Sequence, residues 1–88
     1  MYEILLTPTF DRSFRKLDKE TQNRIKEKLK FLSQNPQLIK KLYYSPKGLS
    51  NLCKYRVGDW RILFWADHQK QEIILYLTDR RDSVYKNL

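Results

Sequence analysis

The sequence predicts an α+β domain of order β-α-α-β-β-β, with two N-terminal helices packed on one face of a small antiparallel sheet. Three observations carry that expectation. Apolar residues first recur at helical spacing, as Phe10, Phe14 and Leu17 and then as Ile25, Leu29 and Leu32. Later the period is two, in apolar runs over 51–57, 60–66 and 72–78. Between the first two runs stand Gly58 and Asp59, a pair suited to a tight turn because glycine tolerates positive φ. At 88 residues the chain is one domain, 1–88, with room for a single modest core.

The elements follow in order. Residues 2–7 read as a short apolar strand ended by Pro8. Thr9 is expected to cap a helix over roughly 10–17. Asp18 is expected to cap a second helix running to about Gln34, with Glu20 close to its positive N-terminal end. Asn35 and Pro36 end it, and a short helical turn is expected through Leu38, Ile39 and Leu42. A basic, aromatic loop follows, with Lys41, Tyr43, Tyr44, Pro46, Lys47 and Gly48. Three strands come next, the last two separated by the polar run from Asp67 to Lys70. From Asp79 onwards the tail is expected to leave the sheet as a turn or short helix.

Charge narrows the class of partner. Eighteen Lys and Arg against ten Asp and Glu give a net charge of +8. From Lys28 to Gly58 there is no acidic residue, while Lys28, Lys30, Lys40, Lys41, Lys47, Lys54 and Arg56 are basic. Such a surface favours a polyanion, with nucleic acid ahead of a membrane. No apolar run is long enough to span a bilayer, and Glu3 stands where a signal peptide would be basic. A lone cysteine, Cys53, excludes an intramolecular disulfide, and the expected location is cytoplasmic.

Several chemistries are then set aside. One His, one Cys and dispersed carboxylates give no metal-ligand spacing, and two glycines make no phosphate loop. No metal or cofactor is expected. His68 lies in a predicted hairpin loop, and Cys53 alternates onto the apolar face as a small buried hydrophobe.

The hairpin is the informative part. A two-residue turn pairs Val57 with Trp60 and sets Arg56 directly across from Arg61. Strand alternation places Lys54, Arg56 and Arg61 on one face, and Cys53, Tyr55, Val57, Trp60, Ile62 and Phe64 on the other. Opposed like charges destabilise a sheet, so the cationic face is expected to hold an anion. RNA suits such a site, because its 2′-hydroxyl is a built-in nucleophile beside the scissile phosphate. Guanidinium groups can then stabilise the charge that develops on phosphorus, and arginine binds phosphate through a bidentate fork. A lysine or tyrosine crowded by arginines gives up its proton more readily, and tyrosine can stack on an unpaired base.

With its 54–61 hairpin, the 79–85 segment Asp-Arg-Arg-Asp-Ser-Val-Tyr and the Gly48-Leu49 approach, the chain resembles the RelE/ParE toxin superfamily, and within it the RelE-type mRNA interferases. The likeness spans nearly the whole length. It implies a toxin of a type II toxin–antitoxin system, a metal-independent endoribonuclease that cuts mRNA in the ribosomal A site. By position it implies Lys54, Arg56, Arg61, Arg80 and Tyr85 as catalytic residues. Arg61 and Arg80 would stabilise the phosphate, Lys54 or Arg56 would assist proton transfer or hold substrate, and Tyr85 would orient the nucleotide or act as base. Arg81 competes with Arg80, which is preferred as the residue directly following the strand. Tyr44, Lys47, Arg81 and Lys86 are expected to contact substrate. Asp79 stands where many relatives carry His, and is expected to pair with an arginine. The implied partners are a cognate antitoxin, in a higher-order hetero-oligomer, and the ribosome with its mRNA. A ParE-type gyrase inhibitor and a non-enzymatic RNA binder are the alternatives.

Overall fold

A computed structural model describes residues 1–41 and 51–80. Its elements are β1 (Glu3–Leu6), α1 (Pro8–Arg15), α2 (Lys19–Gln34), a 3-10 turn (Pro36–Leu38), β2 (Lys40–Lys41), β3 (Cys53–Val57), β4 (Trp60–Asp67) and β5 (Glu72–Arg80). The five strands form one sheet in the order β1-β5-β4-β3-β2. The α+β arrangement is the expected one, with differences in detail. β1 pairs in parallel with β5, so the sheet is mixed and not purely antiparallel. Where a helical turn through Leu42 was expected, the 3-10 turn ends at Leu38 and the two-residue β2 joins the edge of β3.

The first helix begins earlier than Thr9 suggests. Thr7 is its cap, accepting from the Phe10 backbone N–H at 3.2 Å, and Pro8 takes the first helical position, where its missing N–H costs nothing. The Thr7 hydroxyl also donates to the Leu75 carbonyl oxygen at 2.8 Å, tying the start of α1 to β5. A second tie is made by Ser13, whose Oγ accepts from the Thr78 backbone N–H at 3.2 Å. Gln22 joins the two helices, donating through Nε2 to the carbonyls of Phe14 and Leu17. Thr7→Ala is expected to lower stability by about 1–2 kcal/mol, since it removes a cap and a bond to the sheet together. Urea unfolding checks this, with a reduced midpoint at unchanged slope.

Phe10, Ile25, Leu29 and Leu32 on the helices pack against Cys53, Val57, Ile62, Phe64, Ile73 and Leu75 on the sheet. This is the face alternation assigns to the core. The other face is not simply solvated. Leu63, opposite Lys54 and Leu77, is 6% exposed, and Leu52 is fully buried although neither belongs to the helix-side core. Beside them Trp65 and Tyr76 make a tilted ring contact at 5.1 Å. A register shift in β4–β5 between Leu63 and Phe64 leaves Tyr76 as the extra residue on β5, a bulge that lets the strand continue to Arg80.

Candidate functional site: a cationic hairpin end

The β3–β4 hairpin turns at Gly58-Asp59. Gly58 has φ +60°, and a glycine at the first central position with positive φ is the pattern that matches the twist of two paired strands. The register is the one the turn predicts: Val57 opposite Trp60, Arg56 opposite Arg61, Tyr55 opposite Ile62 and Lys54 opposite Leu63. Residues directly opposite share a face. Lys54, Arg56 and Arg61 therefore lie together on the face away from the helices, with Lys54 and Arg56 exposed and Arg61 half-buried.

Arg61 sits in the middle of a row across three strands, with Arg56 on one side and Asp79 on the other. Among the described residues Asp79 pairs with no guanidinium, where an arginine partner is expected: its Oδ1 accepts from the Arg80 backbone N–H at 2.8 Å, and the two ion pairs are Asp11–Arg15 and Glu20–Arg24. The Arg61 Nε is buried and has no hydrogen-bond partner among the described residues. A buried donor left unpaired costs about 1–3 kcal/mol. A phosphate bound between the two opposed arginines would separate them with negative charge.

Arg80 is placed differently from the expectation. It is the last residue of β5 and not the first after it, and it lies directly opposite Trp60. It is thus on the helix-side face, with its guanidinium 6.0 Å from the centre of the Trp60 ring. The structure brings Lys54, Arg56 and Arg61 onto one face and Arg80 onto the other, all at one end of the sheet. Tyr44, Lys47, Arg81, Tyr85 and Lys86 lie outside the described residues.

Sequence reasoning missed Arg24 as a neighbour of this end. One of its terminal nitrogens, Nη1, comes within 3.7 Å of the position a Cβ on Gly58 would take. No local pattern reports such a reach, because Arg24 and Gly58 belong to different elements. Cys53 is buried, as expected of a small apolar residue. Among the described residues no group of His, Cys, Asp and Glu could hold a metal, and no helix is long and apolar enough to cross a membrane.

A second feature lies at the opposite edge of the sheet. Ile4, Leu6, Phe10, Phe14 and Leu29 line an apolar groove of about 260 Å³ between β1 and the helices. Asp11 and Lys26 stand on its wall, the Lys26 Nζ 5.9 Å from the centre of the Phe14 ring.

Known proteins share both sequence and fold with this chain. The family model described as "ParE toxin of type II toxin-antitoxin system, parDE" matches residues 4–84. A Methanocaldococcus jannaschii protein named "Putative toxin RelE4" is 27% identical over 90 residues, covering 98% of this chain and 93% of its own length. Among solved structures, the toxin of the Mycobacterium tuberculosis RelBE2 toxin–antitoxin complex superposes with a TM-score of 0.77 at 24% identity, over 91% of this chain and 98% of that one. The isolated E. coli RelE toxin gives 0.71 at 16% identity, over 99% and 94%. A RelE–RelB complex from Pyrococcus horikoshii gives 0.71 at 18% identity, over 91% and 94%. The chain belongs to the RelE/ParE superfamily of toxins of type II toxin–antitoxin systems, and has its fold.

Proposed function

We propose that this member of the superfamily is a ribosome-dependent endoribonuclease that cuts mRNA in the A site and so halts translation, without a metal or cofactor. The observation that carries this reading is the Arg56–Arg61 pair on one face with Lys54, two of the three exposed. In the reaction, the 2′-oxygen of the RNA attacks phosphorus, its proton passes to a base, and the bond to the 5′-oxygen breaks as that oxygen receives a proton. Arg61 holds the phosphate and stabilises the charge gained in the transition state. Arg56 or Lys54 holds the neighbouring backbone or assists proton transfer, and Tyr85 orients the nucleotide or takes the 2′ proton. Arg80 approaches the phosphates from the helix side of the same end. Tyr44, Lys47, Arg81 and Lys86 serve as further substrate contacts.

The partners of this reading are the ribosome with its mRNA in the cytoplasm, and an antitoxin that keeps the toxin inactive in a hetero-oligomer. The RelB-bound relatives support the antitoxin, as does the apolar groove, which suits the apolar face of an amphipathic segment. The name of the matching family model favours one other reading, a ParE-type gyrase inhibitor.

The test is to map cuts on an mRNA in a purified translation system, with the wild type and with Tyr85→Phe. Cuts that require translation and weaken in the variant are expected. Intact mRNA together with trapped gyrase–DNA complexes would overturn the nuclease reading in favour of the ParE-type one.

A further inference from the structure

We propose that Arg24 on α2 is an RNA-backbone contact, so that the strand held by Arg56 and Arg61 continues over the hairpin tip onto the helix side. This inference rests on the RNA-binding reading above. The open face alone presents Lys54, Arg56 and Arg61, but the hairpin tip has cations on both sides. On the helix side Arg80 lies over Trp60, and the Arg24 guanidinium reaches the turn, 3.7 Å from the Cβ position of Gly58. Between the two sides stands Gly58 itself. Having no side chain, Gly58 lets a polynucleotide backbone approach that position of the turn closely.

Arg24 is also free to bind. Its single ion pair among the described residues is with Glu20 at 3.9 Å, and the two side chains are 59% and 83% exposed. A pair that long and that solvated holds its arginine weakly. The negative groups nearby are Glu20 beside Arg24, Asp59 at the tip and Asp79. The Asp79 carboxylate is taken up by the Arg80 backbone N–H. Against these three carboxylates stand five cations, Arg24, Lys54, Arg56, Arg61 and Arg80, so the end of the sheet is net positive, and the chemistry it fits is a single-stranded RNA backbone with successive phosphates on the two sides of the tip.

The test measures binding of a fluorescein-labelled single-stranded RNA, 2′-O-methylated throughout so that it cannot be cut, over a series of KCl concentrations. The proteins are the wild type, Arg24→Ala, Arg24→Lys and Arg61→Ala. Arg24→Ala is expected to bind several-fold more weakly, with a log Kd against log salt slope shallower by about 0.7, the value of one lost phosphate contact on a single strand. Arg24→Lys is expected to restore most of the affinity, which a purely structural role for the guanidinium would not give. An unfolding midpoint equal to wild type confirms that the exposed substitution leaves the fold intact. Unchanged affinity and slope in Arg24→Ala, with weaker binding in Arg61→Ala, overturns the inference and leaves the RNA-binding reading standing. Wild-type protein that does not bind the RNA at all also overturns the inference, while the ribosome-dependent reading stands or falls on the cleavage map in the translation system.

Discussion

Arg61→Ala is expected to lower the cleavage rate by about 10²–10³-fold, while leaving the folded protein as stable as before or slightly more stable. The two halves of that result come from one geometry. Arg61 lies across from Arg56, so in the free protein the pair is repulsive. Its buried Nε has no acceptor among the described residues, a second cost at the same residue in the unliganded fold. Alanine removes both. What is lost is charge stabilisation of the phosphorane, which is a term of a few kcal/mol in a preorganised site. Single-turnover cleavage and urea unfolding on the same protein check the two halves. A rate within threefold of wild type would contradict the role of Arg61. A large loss of stability would show that its place is structural.

Phe64→Ala is expected to have the largest effect on the fold, a loss of about 3–5 kcal/mol. Phe64 is fully buried in β4, opposite Cys53 on β3 and Leu75 on β5, and its ring sits in the core beneath the helices. A domain of this size has a total stability on the order of 5–15 kcal/mol, so the substitution removes a large share of it. With about 4–8 °C per kcal/mol for a small domain, the melting temperature should fall by more than about 12 °C. Differential scanning calorimetry measures it, and a fall under about 4 °C would mean that the helices collapse onto the cavity far more readily than this packing implies. Activity should fall as well at temperatures where the wild type is folded, because β4 carries Arg61 three positions earlier.

Much of the site could be read from local pattern. Alternation, together with Gly58-Asp59, determines which hairpin residues face each other, because a two-residue turn leaves one register and a slip of one residue would bury Lys54 and Arg56. The long-range features could not be read in that way. The parallel pairing of β1 with β5 depends on Ile4 and Leu5 meeting Ile73 and Ile74, residues some 70 positions apart. Extension of β5 to Arg80 depends on a bulge near Tyr76, and a bulge leaves no clear trace in apolar periodicity. That extension moves Arg80 from the tail to a place opposite Trp60, on the face away from Arg61. Thr7 and Thr9 are equally good caps by residue type, and Pro8 decides between them by fitting the first helical position after Thr7. The reach of Arg24 to the hairpin tip is a tertiary contact with no local signal at all.

In the proposed reaction a cationic surface, with no metal, thiol or histidine, cuts RNA by activating the substrate's own 2′-hydroxyl. Its most direct test replaces the 2′-hydroxyl with hydrogen at the one nucleotide 5′ to the mapped cut, in an otherwise unchanged translated mRNA. Cutting at that position is expected to disappear while the ribosome still stalls there with toxin bound. Continued cutting at the 2′-deoxy position would contradict it, since the nucleophile would then have to come from elsewhere.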